Sequence, residues 1–154
     1  MFSAERCREV GVKVMGDPFD LERFVAAQDG VFEGVRRELG RGVKLGHWMW
    51  FVFPQLRGLA RSATSEKYGI ASVEEAKAYW AHPVLGPRLR ECCELLLRVE
   101  GRTVEEIFGF PDDLKLRSSM TLFARATGEG VFGEVLGKYF GGEEDGVTVG
   151  MLGG

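Results

Sequence analysis

Apolar residues recur at three- and four-residue spacing along most of the chain, and the interruptions fall at glycine and proline. Asp17-Pro18-Phe19-Asp20 reads as a helix start, with an Asp cap and Pro in the first turn. Leu21, Phe24, Val25, Gln28, Phe32, Val35 and Leu39 follow at helical spacing until Gly40 and Gly42, which predicts one continuous helix. Ser72-Val73-Glu74-Glu75 is a capping box leading into Ala76, Ala78, Tyr79 and Trp80, and Pro83 breaks that helix after His82. A longer helix is predicted from about Val84 to Val99, with Leu85, Leu89, Cys92, Cys93, Leu96 and Val99 on its apolar side and Gly101 as terminator. Thr103-Val104-Glu105-Glu106 is a second capping box, opening a short turn through Ile107 and Phe108. Pro111-Asp112-Asp113 starts another helix carrying Leu116, Met120 and Phe123. A last amphipathic stretch groups Val131, Phe132, Val135, Leu136, Tyr139 and Phe140 before Gly141 and Gly142.

There is no series of alternating strands and no repeat. The expected fold is therefore all-α, a single orthogonal helical bundle of about six or seven helices spanning residues 17–142. Residues 1–16 read as an N-terminal arm, in which Val10, Val12 and Val14 could form a short isolated strand. Residues 143–154 read as a mobile Gly-rich tail with at most a weak turn around Val147 to Leu152.

Composition narrows the function. A chain of 154 residues, 45% hydrophobic and 28% charged, is one globular domain. A net charge of −3 supplies no basic field, which argues against nucleic acid or an anionic membrane as partner. The longest apolar run, Trp48 to Phe53, is far too short to span a bilayer, and the charged start from Met1 to Gly16 lacks the apolar region of an export signal. Cys7, Cys92 and Cys93 form neither a disulfide framework nor a zinc signature, which suits a soluble protein of the reducing cytoplasm. The vicinal pair sits in a leucine-rich helix and is expected to be buried and inert. No metal or cofactor motif is present.

Three segments could carry chemistry. In Lys44-Leu45-Gly46-His47-Trp48-Met49-Trp50-Phe51-Val52-Phe53-Pro54-Gln55, a helix could run about two turns before Pro54. On that helix Trp48, Phe51 and Gln55 share one face, and His47, Trp50 and Pro54 another. The functional reading is an aromatic-walled pocket with Trp48 and Trp50 as walls, Gln55 as a polar contact and His47 as the acid–base residue, because His alone titrates near neutrality unaided. The competing reading is a core helix with a hydrogen-bonded His. His82, before a proline, reads as a cap or surface residue. In Asp112 to Phe123, Lys115, Ser118 and Ser119 could line a cavity as anion contacts. Equally, the hydroxyls could bond back to the preceding turn while Lys115 pairs with Asp112. Asp113 and Arg117 are spaced to pair at i, i+4. Arg61, with Ser62, Thr64 and Ser65, could hold an anion or merely flank a capped helix.

Taken in order, Asp17-Pro18-Phe19, His47-Trp48-Met49-Trp50-Phe51, Phe53-Pro54-Gln55, His82-Pro83-Val84-Leu85-Gly86 and Lys115-Leu116-x-Ser118-Ser119-Met120-Thr121 resemble the bacterial family catalogued as domain of unknown function 1810. The resemblance spans about Asp17 to Leu152 and implies an all-helical, cytoplasmic bacterial protein. It supplies no activity, substrate or cofactor. The chain departs from the resemblance in the tail, where Gly146, Gly150, Gly153 and Gly154 interrupt an expected final helix.

Two classes of function follow. One is a small-molecule enzyme or binder whose anionic ligand, phosphorylated or nucleotide-like, meets His47, Lys115, Arg61, Gln55, Ser118 and Ser119. The other is a non-catalytic module that binds another protein or a second copy of itself. A shared cavity lined by His47 and Lys115 would favour the first, and a filled core with an exposed apolar patch the second.

Overall fold

Ten helices follow one another among the described residues, 16–153, of the computed structural model. They are α1 (Glu22–Asp29), α2 (Phe32–Arg41), α3 (Met49–Val52), α4 (Ala63–Tyr68), α5 (Val73–Ala81), α6 (Leu85–Arg98), α7 (Val104–Phe108), α8 (Asp112–Thr127), α9 (Gly130–Phe140) and α10 (Gly146–Met151). The all-α reading holds. The number is ten rather than six or seven, because short capped turns between the long helices also close into helix. Extended pairing among the described residues amounts to one isolated parallel bridge, Leu56 with Ile70. No described helix is long and apolar enough to cross a membrane. The arm reading and the short strand at Val10 to Val14 fall outside the described residues.

The single helix expected from Asp17 to Leu39 is two. The Asp17 carboxylate does cap, accepting from the backbone N–H groups of Leu21 at 2.6 Å and Glu22 at 3.1 Å, so helix begins at Glu22. The chain then breaks at Gly30, a weak helix former. The break lets the halves bury against different neighbours: α1 packs on α3, and α2 on α6. Gly42, at φ 75°, closes α2 in the left-handed conformation that glycine adopts without strain.

The other starts follow their local chemistry. Ser72 accepts from the Glu75 N–H, and Thr103 and Glu106 form a reciprocal capping box. His82 Nδ1 accepts from the N–H groups of Val84 and Leu85, making it the cap of α6.

An aromatic chain runs through the core and ties four helices together. Phe24 of α1 meets Tyr79 of α5 edge-on at 5.1 Å, and Tyr79 meets Phe123 of α8 at 5.4 Å. Phe123 stacks on Phe132 of α9 at 5.5 Å, and Phe132 meets Trp80 at 4.9 Å. Cys92 and Cys93 lie fully buried on α6, and burial pushes both thiols well above their ordinary value.

Two polar side chains knit α1 into this core. All five donors of Arg23 are used: Nε on the Lys67 carbonyl, Nη1 on those of Phe19 and Asp20, and Nη2 on the Gly69 carbonyl and Glu75. Gln28, 1% exposed, donates to the Phe51 carbonyl at 2.7 Å and the Tyr79 hydroxyl at 3.0 Å.

The Gly-rich tail is docked rather than loose. The Asp145 carboxylate accepts from the Thr148 N–H at 3.0 Å and hydroxyl at 2.6 Å, which starts α10 despite its glycines. The Asp145 N–H donates to the Thr121 hydroxyl at 2.9 Å, Thr148 is fully buried, and α10 packs on α8.

Where α5 meets α6 the backbones nearly touch. A Cβ built on Gly86 would sit 2.1 Å from the Trp80 carbonyl oxygen, so no side chain fits without moving a helix. Gly86→Ala is expected to cost about 1–3 kcal/mol in urea unfolding, the usual range for overpacking. Gly133→Ala, in the interior of α9 with nothing within 4 Å, is the control and should be neutral or stabilising. Equal effects at both sites would mean the close approach is relaxed at no cost.

Candidate functional site

The aromatic segment closes into a single turn, α3, because Pro54 cannot continue a helix. Residues 52–56 then run buried and largely non-helical. Buried backbone groups need partners. Here the Gln55 carbonyl accepts from the Ile70 N–H and the Ile70 carbonyl from the Arg57 N–H, both at 2.8 Å. The expected helical faces therefore do not form. Trp50 comes together with Gln55, and Trp48 with His47.

Trp48 is 3% exposed and belongs to the core. Its indole N–H donates to Glu38 at 2.9 Å, and the same Glu38 oxygen accepts from the N–H groups of Leu45 and Gly46. Burial pushes the Glu38 carboxyl up, but these hydrogen bonds and nearby Lys44 outweigh it and hold the group below its ordinary value. His47 is exposed. With Trp48 it lines a depression of about 410 Å³ beside Glu33, Arg37 and Glu38.

A second cleft, of about 270 Å³, opens between α3, the loop after it, the first half of α8 and the tail. Its lining includes Trp50, Gln55, Lys115 and Ser118. Lys115 Nζ lies 4.1 Å from the centroid of the Trp50 ring and 3.1 Å from Asp112. Asp112 is shared: Lys44, its side chain 7% exposed, binds the other oxygen at 2.7 Å while standing over the Trp48 ring at 5.0 Å. Burial raises the Asp112 pKa, but hydrogen bonds from Lys44 and Lys115 prevail and hold it below its ordinary value. Ser118 bonds back to the Leu114 carbonyl at 3.2 Å, leaving its oxygen free to accept. Gln55 is 7% exposed, and its side-chain nitrogen is buried with no hydrogen-bond partner. Gln55 also lines an enclosed void of about 10 Å³ shared with Ser65 and Tyr68.

The remaining expected site residues lie elsewhere. Ser119 is fully buried with its hydroxyl unpartnered and does not line the cleft, since it faces the packed interior of α8. Arg61 is exposed and lies outside the lining, although its neighbours Leu59 and Ala60 belong to it. Arg117 pairs with Glu143 at 3.0 Å rather than with Asp113, whose carboxylate instead accepts from the Leu114 N–H. Among the described residues, no group of three or more His, Cys, Asp or Glu could hold a metal ion.

Pattern reading missed six walls: Leu59, Ala60, Pro111, Leu114, Asp145 and Val147. Asp145 was findable, because Asp145-Gly146-Val147-Thr148 places a capping carboxylate three residues before a hydroxyl.

The class the fold defines is all-helical, and in this chain a one-turn aromatic helix and a lysine-bearing helix flank a small cleft of mixed polarity. The chain belongs to the family described as protein of unknown function (DUF1810), whose profile matches residues 18–152. It is similar to the crystal structure of the conserved hypothetical protein Rv1873 from Mycobacterium tuberculosis, with 61% sequence identity over 88% of this chain and 98% of that one, and a TM-score of 0.87. No protein of curated function matches.

The shared carboxylate sets a pH dependence. A depressed folded pKa stabilises the fold fully above the unfolded Asp value, about 3.9, and that contribution is lost as pH falls through the lower folded value. Asp112→Asn should be less stable than the parent at pH 7, with the gap closing towards pH 2 in urea unfolding. A gap that stays constant through the acid range would show that the charge on Asp112 contributes nothing.

Proposed function

We propose that the protein binds a small anionic molecule in the Trp50–Lys115 cleft. One observation carries the reading. Gln55, nearly buried and with its amide nitrogen unpartnered, lines the same cleft as Trp50, Lys115 and Ser118. A buried donor without a partner costs about 1–3 kcal/mol, so a polar group from outside the chain, a ligand oxygen or an ordered water, is favoured beside Gln55. Lys115 brings charge, Ser118 an acceptor and Trp50 a flat apolar surface, the usual make-up of a small-molecule pocket. Phosphorylated, nucleotide-like and carboxylate ligands all offer oxygens that the Lys115 ammonium can serve, while Ser118 can accept from a ligand hydroxyl or N–H. His47 has no part in this reading because it lines the other depression.

Exposed apolar side chains support the second reading, a module that docks a protein or a second copy of this chain. Phe110 is 79% exposed, Val147 62% and Leu114 43%, and the last two line the cleft. Sedimentation velocity of the parent and of Phe110→Ser tests for self-association at this edge.

For the ligand reading, a thermal-shift panel of small anions should contain members that raise the melting temperature of the parent. Lys115→Met keeps the apolar stem over Trp50 and removes the charge. It should melt close to the parent unliganded and lose the stabilisation. Full retention of the ligand effect in Lys115→Met would overturn the proposal.

A further inference from the structure

We infer that the cleft selects a monocarboxylate carried on a single ring or a short chain, and turns away phosphate-rich ligands. The inference rests on the anion-binding reading above and narrows it by charge, volume and surface. The charges come first. Lys44, Lys115 and Arg117 are each already met by a carboxylate: Asp112 at 2.7 and 3.1 Å for the lysines, and Glu143 at 3.0 Å with Asp145 at 3.9 Å for the arginine. Asp145 itself lines the cleft together with Lys115. A ligand with two or more negative charges would meet that carboxylate without a matching excess of cations, and burying unmatched charge is costly. A single negative charge is what the Lys44–Asp112–Lys115 group can balance, since it has one ammonium more than it has carboxylates.

Volume and surface describe the rest of the ligand. At about 270 Å³ the cleft lies just below the span of roughly 300–1,000 Å³ typical of drug-sized sites, so it suits one ring or a few methylenes. Most of its wall is apolar: Trp50, Leu59, Ala60, Pro111, Leu114 and Val147. Val147 and Leu114 leave much of their surface in water, and an apolar ligand body would cover it. Lys115 and the Gln55 side-chain amide are the donors a planar carboxylate would use, whereas Ser118, its proton held by the Leu114 carbonyl, adds none.

The test is calorimetric titration of the full chain with benzoate, hexanoate, benzyl alcohol, AMP, ATP and inorganic phosphate, with the Gln55 side-chain amide followed by NMR. Benzoate or hexanoate should bind at least about tenfold tighter than benzyl alcohol and inorganic phosphate, the margin of a charge-assisted contact. The same carboxylates should shift the Gln55 amide signals in the parent and lose that tenfold margin in Lys115→Met. Tighter, Lys115-dependent binding of AMP or ATP would overturn the carboxylate inference and leave the anion site standing. Carboxylate binding that is unchanged in Lys115→Met, or no binding by any probe, would overturn both.

Discussion

The governing constraint is that a stretch of backbone is buried without being helix. After α3, Phe53, Pro54, Gln55 and Leu56 run on into the interior, and proline stops the helix that would otherwise have satisfied their backbone. The partners come from far along the chain. Ile70 takes the extended stretch, and Gln28 takes the Phe51 carbonyl. Ile70 in turn follows Gly69, whose carbonyl is held by Arg23, anchored on buried Glu75. Helices α1, α3, α4 and α5 thus meet at one small set of polar contacts. The aromatic core assembles around that junction.

The cleft is a by-product of the same constraint. Once the segment leaves helical geometry after a single turn, Trp50 and Gln55 face the same side and Trp48 turns inward to Glu38. Beside the cleft, Asp112 holds two ammonium groups on its two oxygens, each standing over an indole ring. Replacing such a carboxylate leaves adjacent cations uncompensated, so its partners cannot be treated as independent surface lysines.

Local signals in the sequence were dependable where the physics is local. Caps at Asp17, Ser72 and Thr103, the stop at Gly42 and the heptad-like apolar face of α6 all correspond to real element ends and buried faces. The break after Asp29 was not legible, because Gly30 is tolerable inside a helix and only the separate burial of α1 and α2 decides the matter. The site was half legible. Trp50, Gln55, Lys115 and Ser118 share a cleft, whereas His47 and Trp48 line another depression and Ser119 is sealed in the core. Helical periodicity misassigned the aromatic residues because it presumes the very helix that Pro54 prevents. The tail was underestimated for a similar reason: its glycines argue for looseness, and the docking contacts of Asp145 and Thr148 are tertiary.

That docking has a consequence for how such a pocket can diversify. One wall of the cleft, Val147, belongs to a six-residue helix whose only deep anchor in the core is Thr148. Another part of the lining is committed to the interior through Gln55 and the segment around it. Substitutions at 147 therefore reshape the mouth while leaving the aromatic core untouched, whereas changes at 55 disturb both together. Sequence change that reshapes the cleft has its permissive route through the last turn of the domain, away from the aromatic core.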